Sequence, residues 1–193
     1  MDREVSHQRA IESIWDEHLT VASALRSLAP AVDRVVAIMT RSLANGGVLL
    51  ACGNGGSAAD AQHIAAELTG RFFRDRKPLP ALALHGNTSS LTAIGNDYGY
   101  DEVFAREVTA HGRQGDVLLA ISTSGNSRNI LRAIEAAREK GMAIIGLTGE
   151  TGGKMLPLCD LCLCVPSTST PRIQECHILI GHTICELLEQ ILC

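Results

Sequence analysis

The sequence predicts an α/β domain: a doubly wound, five-stranded, mostly parallel sheet with two N-terminal helices and a long C-terminal helix. Three observations predict it. Five short apolar runs recur at Val48 to Ala51, Ala81 to Leu84, Val117 to Ile121, Ala143 to Leu147 and Leu161 to Val165, as strands covered on both faces do. Segments of helical character separate them, the pattern of crossover connections in a parallel sheet. Two glycine- and serine-rich turns, CGNGGSAADAQH from Cys52 to His63 and ISTSGNS from Ile121 to Ser127, each follow an apolar run and open a helical pattern. The length of 193 residues suits one such domain, so residues 1–193 are read as a single unit.

The elements follow in order. From Val5 to about Leu28, apolar residues recur at helical spacing through Ile11, Ile14, Trp15, Leu19, Ala22 and Leu25, and Pro30 punctuates the run. A second helix is expected from Ala31 to Leu43, with Val32, Val35, Val36, Ile38 and Met39 as its apolar surface and Asn45-Gly46-Gly47 ending it. Strand and helix then alternate. Ile130, Leu131, Ile134 and Ala137 mark the helix after the second turn, and a last helix starts near Pro171 or Arg172 and runs through Ile173, Ile178, Leu179, Ile184, Leu187, Leu188 and Ile191.

Composition narrows the function classes. With 17 basic and 21 acidic residues the formal net charge is −4, which supplies no broad basic surface for a nucleic-acid backbone. No apolar stretch reaches membrane-spanning length, and MDREVSHQRA lacks the apolar core of a secretory signal, so a cytoplasmic protein without membrane contact is expected. The seven cysteines then read as reduced thiols. Cys159, Cys162 and Cys164 cluster, but CDLC has no second ligand pair and precedes the strand-like LCLCVP, so these residues read as core.

Open α/β sheets bind ligands beyond the carboxyl ends of their strands, where both turns lie. Backbone N–H groups at a helix N-terminus favour an anion, and two such turns point to a phosphorylated ligand. Gly53, Gly55 and Ala58 also satisfy the dinucleotide spacing G-x-G-x-x-A, but that reading needs an acidic residue at the end of the next strand, where this chain has His85-Gly86-Asn87. The second turn offers the hydroxyls of Ser122, Thr123, Ser124 and Ser127 around Gly125-Asn126, donors suited to a phosphate monoester. Ser124 or Asn126 as a plain helix cap is the simpler alternative; capping needs one hydroxyl and four are present.

His63 and Glu67 stand four apart on the helix opened by the first turn, so they share a face just above the ligand site. Moving a proton between adjacent sugar carbons through an enediolate requires a base at carbon and a second group for the oxygens. A partly buried Glu suits the first task and His the second. Standing alone, such a pair is more often an ordinary surface feature.

The chain resembles the sugar isomerase (SIS) domains, and among them the bacterial phosphoheptose isomerases, over almost its whole length. The resemblance rests on CGNGGSAADAQHIAAELTGRF, IGNDYGYDEVF, GDVLLAISTSGNS, LTGETGGKM and RIQECHILIGH. It implies a flavodoxin-like five-stranded parallel sheet and a homotetramer with active sites where subunits meet, to whose packing the helical segment 1–45 is assigned. It implies conversion of sedoheptulose 7-phosphate to D-glycero-D-manno-heptose 7-phosphate, the first step toward ADP- or GDP-heptose for lipopolysaccharide and other surface glycans. It assigns His63, Glu67, Gln174 and His182 to one zinc ion per subunit, Asn54, Gly55, Gly56, Asn96 and Asp97 to the sugar, and Ser122, Thr123, Ser124 and Ser127 to the phosphate. Glu67 and Gln174 also face the substrate, and the catalytic roles expected are Glu67 as base at carbon and His182 as acid–base group at oxygen.

Several points stay open in the sequence. On one continuous helix Gln174 and His182 stand about 12 Å apart along the axis, whereas donors to one zinc lie within roughly 4 Å of each other. Asn96-Asp97 also reads as an ordinary turn. His7, His18 and His111 read as solvated helix residues, and Arg71, Arg74, Arg76 and Lys77 as a solvent-facing basic run in which Arg71 is a candidate ligand across an interface. His85 follows a strand end on the ligand side, and His177 lies between Gln174 and His182. Two alternatives share the fold: a noncatalytic tetrameric adaptor that engages a replication initiator, against which Glu67 and His182 stand, and an amino-sugar phosphate isomerase.

Overall fold

The structure, a computed structural model, describes residues 2–193. Helix α1 spans Asp2–Ala24 and a single 3-10 turn, Leu25–Leu28, leads into α2, Ala29–Ala44, with Pro30 in its first turn where no N–H is needed. The strands are β1 (Leu49–Cys52), β2 (Ala81–Ala83), β3 (Val117–Ile121), β4 (Ala143–Thr148) and β5 (Leu161–Cys164). Between them run α3 (Gly56–Thr69), α4 (Thr88–Tyr98), α5 (Val103–His111) and α6 (Arg128–Glu139), and α7 (Thr170–Leu192) follows β5.

All four strand pairings are parallel, in the order β2-β1-β3-β4-β5. The register explains the unbroken apolar runs. Leu49 and Ala51 point into one core with Val117, Leu119, Ile145 and Leu147, beneath residues of α2, α3 and α7. Leu50 and Cys52 point into the other with Leu118, Ala120 and Ile144, beneath α5 and α6. A strand covered on both faces has no polar side to alternate.

β1 lies between β2 and β3, so the chain leaves it toward one edge and then returns to build the other. That reversal opens a crevice at the carboxyl ends of β1 and β3, where both glycine- and serine-rich turns sit.

The apolar spacing of α1 does not mark the core: Ile11, Ile14, Trp15 and Leu19 are exposed, Trp15 to 65 % and Leu19 to 60 %, as is every residue from His7 to Glu17. Two expectations need correction. β5 is an edge strand, so Cys162 and Cys164 are half-buried rather than enclosed. Arg76 does not face solvent; its side chain is 3 % exposed, for the reason given below. Among the described residues no helix is long and apolar enough to cross a membrane.

Candidate active site

The first turn leaves β1 at Cys52 and starts α3 at Gly56. Gly56 is a glycine because α7 comes close: a Cβ there would stand 2.5 Å from Nε2 of Gln174. Eight residues on along α3 and seven along α7, Ile64 meets Gly181, so the two helices run side by side in the same direction. That course carries His182 to His63, with their Nε2 atoms 3.3 Å apart. His63 Nε2 also lies 3.1 Å from Oε1 of Glu67, one turn along α3. Phe72 backs His182, with ring centroids 5.6 Å apart.

Among the described residues, His63, Glu67 and His182 form a group that could hold a metal ion, with one donor atom from each within 4.8 Å of the others. Two ligands of a tetrahedral ion with bonds near 2 Å stand about 3.3 Å apart, close to both observed spacings. Three protein donors with one position open is the arrangement of catalytic rather than structural zinc sites. Gln174 belongs to the continuous helix α7. Its amide meets Gly56, about 10 Å before His63 along the axis of α3, so within one chain it lies on the first-turn side of the three donors.

The second turn is built to leave its hydroxyls free of helix capping. Ser127 is the N-cap of α6 but makes no side-chain cap bond; its Oγ lies 3.0 Å from Oγ of Ser122, which lies 3.5 Å from Oγ of Ser124. Gly125 has φ +64°, and a Cβ there would overlap the carbonyl oxygen of Gly152. The loop after β4 buttresses the turn: Gly149 N–H donates to Thr123 O, Met155 N–H to Gly125 O, and Lys154 N–H to Oδ1 of Asn126. Thr123, Ser124 and Asn126 line a cavity of about 290 Å³ with Glu150, Thr151, Thr168 and Thr170.

Asn54 joins the two turns. Its Nδ2 donates to Oδ1 of Asn129 on α6 at 2.9 Å and its Oδ1 accepts from Asn129 Nδ2 at 2.8 Å, while Tyr100 Oη donates to the same Oδ1. Asn96 and Asp97 form the last turn of α4, not a loop turn, and their side chains hydrogen-bond to each other at 2.8 Å.

A family model of the SIS domain matches residues 16–149. A phosphoheptose isomerase from Rhodospirillum rubrum is 62 % identical over 169 residues, covering 88 % of this chain and 90 % of that one. The chain belongs to the phosphoheptose isomerases of the SIS-domain family. Two solved structures agree: phosphoheptose isomerases from Neisseria gonorrhoeae, 46 % identical with a TM-score of 0.90, and from Francisella tularensis, 40 % identical with a TM-score of 0.93, each covering 95 % of this chain and 98 % of its own. These relatives are phosphoheptose isomerases, which favours neither the adaptor nor the amino-sugar reading.

Two residues that the motifs do not mark lie beside the side chains of the site. Asp60 precedes His63 by one helical turn on the same face; burial pushes its carboxyl up to about 6, opposed by His63, and Oδ2 has no hydrogen-bond partner among the described residues. The D-x-x-H-x-x-x-E spacing was the signal for it. Asn129 left none, since its role exists only opposite Asn54.

The histidines divide clearly. His85 Nε2 donates to the carbonyl of Ala58, so Nδ1 is the bare nitrogen, and burial holds the ring below its ordinary pKa. His177 is fully buried, donates Nε2–H to Thr148 O and is pushed down by burial to about 4, a core residue. His7 is exposed; His18 is not simply solvated but pairs with Glu175 of α7 at 2.7 Å, and His111 pairs with Glu107.

Arg76 is buried because α3 ends beside it. Its guanidinium donates to the carbonyls of Glu67 and Leu68 and pairs with Glu189 of α7 at 3.0 Å. A helix C-terminus is a natural place for a cation. Arg71 and Lys77 remain exposed.

Proposed function

We propose that this protein converts sedoheptulose 7-phosphate to D-glycero-D-manno-heptose 7-phosphate through an enediol, supplying the precursor of ADP- or GDP-heptose for surface glycans. One observation carries the reading: His63, Glu67 and His182 converge on α3 and α7, beyond a turn that has the hydroxyls and size for a phosphate. Ser122, Thr123, Ser124 and Ser127, with the N-terminus of α6, hold the phosphate. Asn54, Gly55, Gly56, Asn96, Asp97 and Gln174 line the sugar.

Glu67 presents Oε1 to His63, which leaves Oε2 for the proton on C1 of the ketose. As that proton moves to Glu67, His182 protonates the carbonyl oxygen on C2, giving the enediol. His182 then takes the proton from the oxygen on C1 while Glu67 returns its proton to C2, and the aldose results with both groups restored. His63 Nε2, Glu67 Oε1 and His182 Nε2, with Gln174, would hold a zinc ion, which would polarise the substrate's oxygens as a Lewis acid and leave Glu67 Oε2 and the other ring nitrogen of His182 for the proton transfers.

The exposed stripe of α1 supports a homotetramer with sites at subunit contacts. The expected compartment is the cytoplasm. The decisive experiment follows sedoheptulose 7-phosphate by NMR with wild type and Glu67→Gln, zinc content being measured in both. The variant is expected to keep sugar-phosphate binding and to lose roughly 10²–10⁴-fold in kcat; near-normal turnover overturns the assignment. A metal chelator should abolish wild-type turnover, and chelator-insensitive turnover removes the metal from the reaction.

A further inference from the structure

Behind the phosphate turn lie three thiols that the proposed reaction does not use. Cys159 follows the 3-10 segment Gly153–Leu158, and Cys162 and Cys164 belong to the edge strand β5. Cys162 pairs with Gly146 across β4 and β5. Gly146 carries no side chain, and a Cβ there would stand 2.8 Å from Cys159 Sγ and 3.0 Å from Cys162 Sγ. The two sulfurs therefore share the space above one glycine.

Cys159 Sγ and Cys162 Sγ both border that space. Both cysteines are half-buried at the sheet edge, whereas Cys52, Cys176 and Cys185 are enclosed. Cys164 Sγ is 3.9 Å from Cys162 Sγ, but two residues along one strand stand about 6.6 Å apart at Cα, near the upper limit for a disulfide. Cys159 approaches from the segment laid over the strand and is free of that restriction.

We propose that Cys159 and Cys162 form a reversible dithiol–disulfide site for two-electron oxidants of the hydroperoxide class. The neighbouring Cys159, with Thr148 and Cys164, lowers the Cys162 thiol to about 6 against burial, so Cys162 is the more acidic of the two and attacks as its thiolate. Its sulfur attacks the peroxide, the O–O bond breaks, and Cys162 becomes a sulfenic acid as hydroxide leaves and takes up a proton. Cys159 then attacks that sulfur; the S–S bond forms and the sulfenic oxygen departs as water with the Cys159 proton. In sum two thiols lose two hydrogens and one hydrogen peroxide becomes two waters.

The test treats the purified full chain with a modest excess of hydrogen peroxide, blocks remaining thiols by alkylation, and reads intact mass and an Asp-N digest without reductant. Cleavage before Asp160 separates Cys159 from Cys162, so a Cys159–Cys162 bridge joins two fragments that a Cys162–Cys164 bridge does not. The expected product is lighter by two hydrogens, joins those fragments, and reverts with dithiothreitol. Cys164→Ser and Cys193→Ser should retain the bridge, Cys162→Ser should lose it, and Cys159→Ser should leave a dimedone-reactive sulfenic acid on Cys162. Full retention of all thiols, oxidation confined to Cys193, or a Cys162–Cys164 bridge would each overturn the proposal.

Discussion

Asp60 has an ordinary value of 3.8, but on α3 burial raises it to about 6 despite His63. A folded value above the unfolded one means that its contribution to stability is full below about pH 4 and is lost as pH rises through 6. Asp60→Asn is therefore expected to raise the Tm of the metal-free protein more at pH 8 than at pH 4, and equal shifts at the two pH values would refute this. Gly125→Ala places a side chain at φ +64° against Gly152, and a strain of at least about 1–2 kcal/mol in the turn should raise KM for the sugar phosphate roughly tenfold with kcat little changed. His63 and Glu67 were legible in the sequence because a helix fixes which residues share a face. The spacing puts Asp60 on that face too, but its raised pKa was not legible, because the burial of one carboxylate oxygen depends on what lies over it. Arg76 was misread for a similar reason: its partner Glu189 is 113 positions away.

Glu189 also organises an element. Its carboxylate accepts the backbone N–H groups of Phe72, Phe73 and Arg74 and pairs with Arg76, fixing the segment after α3 that sets Phe72 against His182. Burial opposes its charge, and the three N–H donors with Arg76 outweigh that, holding the carboxyl down at about 2. This stabilisation is present above about pH 4.5 and is lost as pH falls toward 2. Glu189→Gln leaves a buried arginine uncompensated and should cost about 3–5 kcal/mol in denaturant unfolding at pH 7; a loss below 1 kcal/mol would show that the segment is held by other means. The strands were readable to within a residue because burial on both faces makes them apolar throughout. α4 was not, since none of its residues is buried and it leaves no apolar stripe to read. Asn96-Asp97 consequently looked like a turn.

At the scale of the molecule, the exposed stripe of α1 is the surface available to the proposed tetramer. Ile11, Ile14, Trp15 and Leu19 repeat at helical spacing on α1 and stay exposed, with Leu179 of α7 exposed as well. Contiguous apolar surface of that kind marks an association face. Trp15→Asp combined with Leu19→Asp should yield a smaller species by light scattering with unchanged circular dichroism; a tetramer that survives both charges would place the interface elsewhere. The sequence carried the fold and both turns, because local pattern encodes them, but it gave the direction in which an apolar stripe faces no more than an even chance. His63 and His182 touch across 119 positions, whereas the turns belong to neighbouring strands in the middle of the chain. Contacts of such separation close late, after the entropy of the intervening chain has been overcome. During folding, a species whose sheet is formed but whose last helix is still undocked could grip a sugar phosphate without rearranging it, so binding competence should precede turnover on the way to the native state.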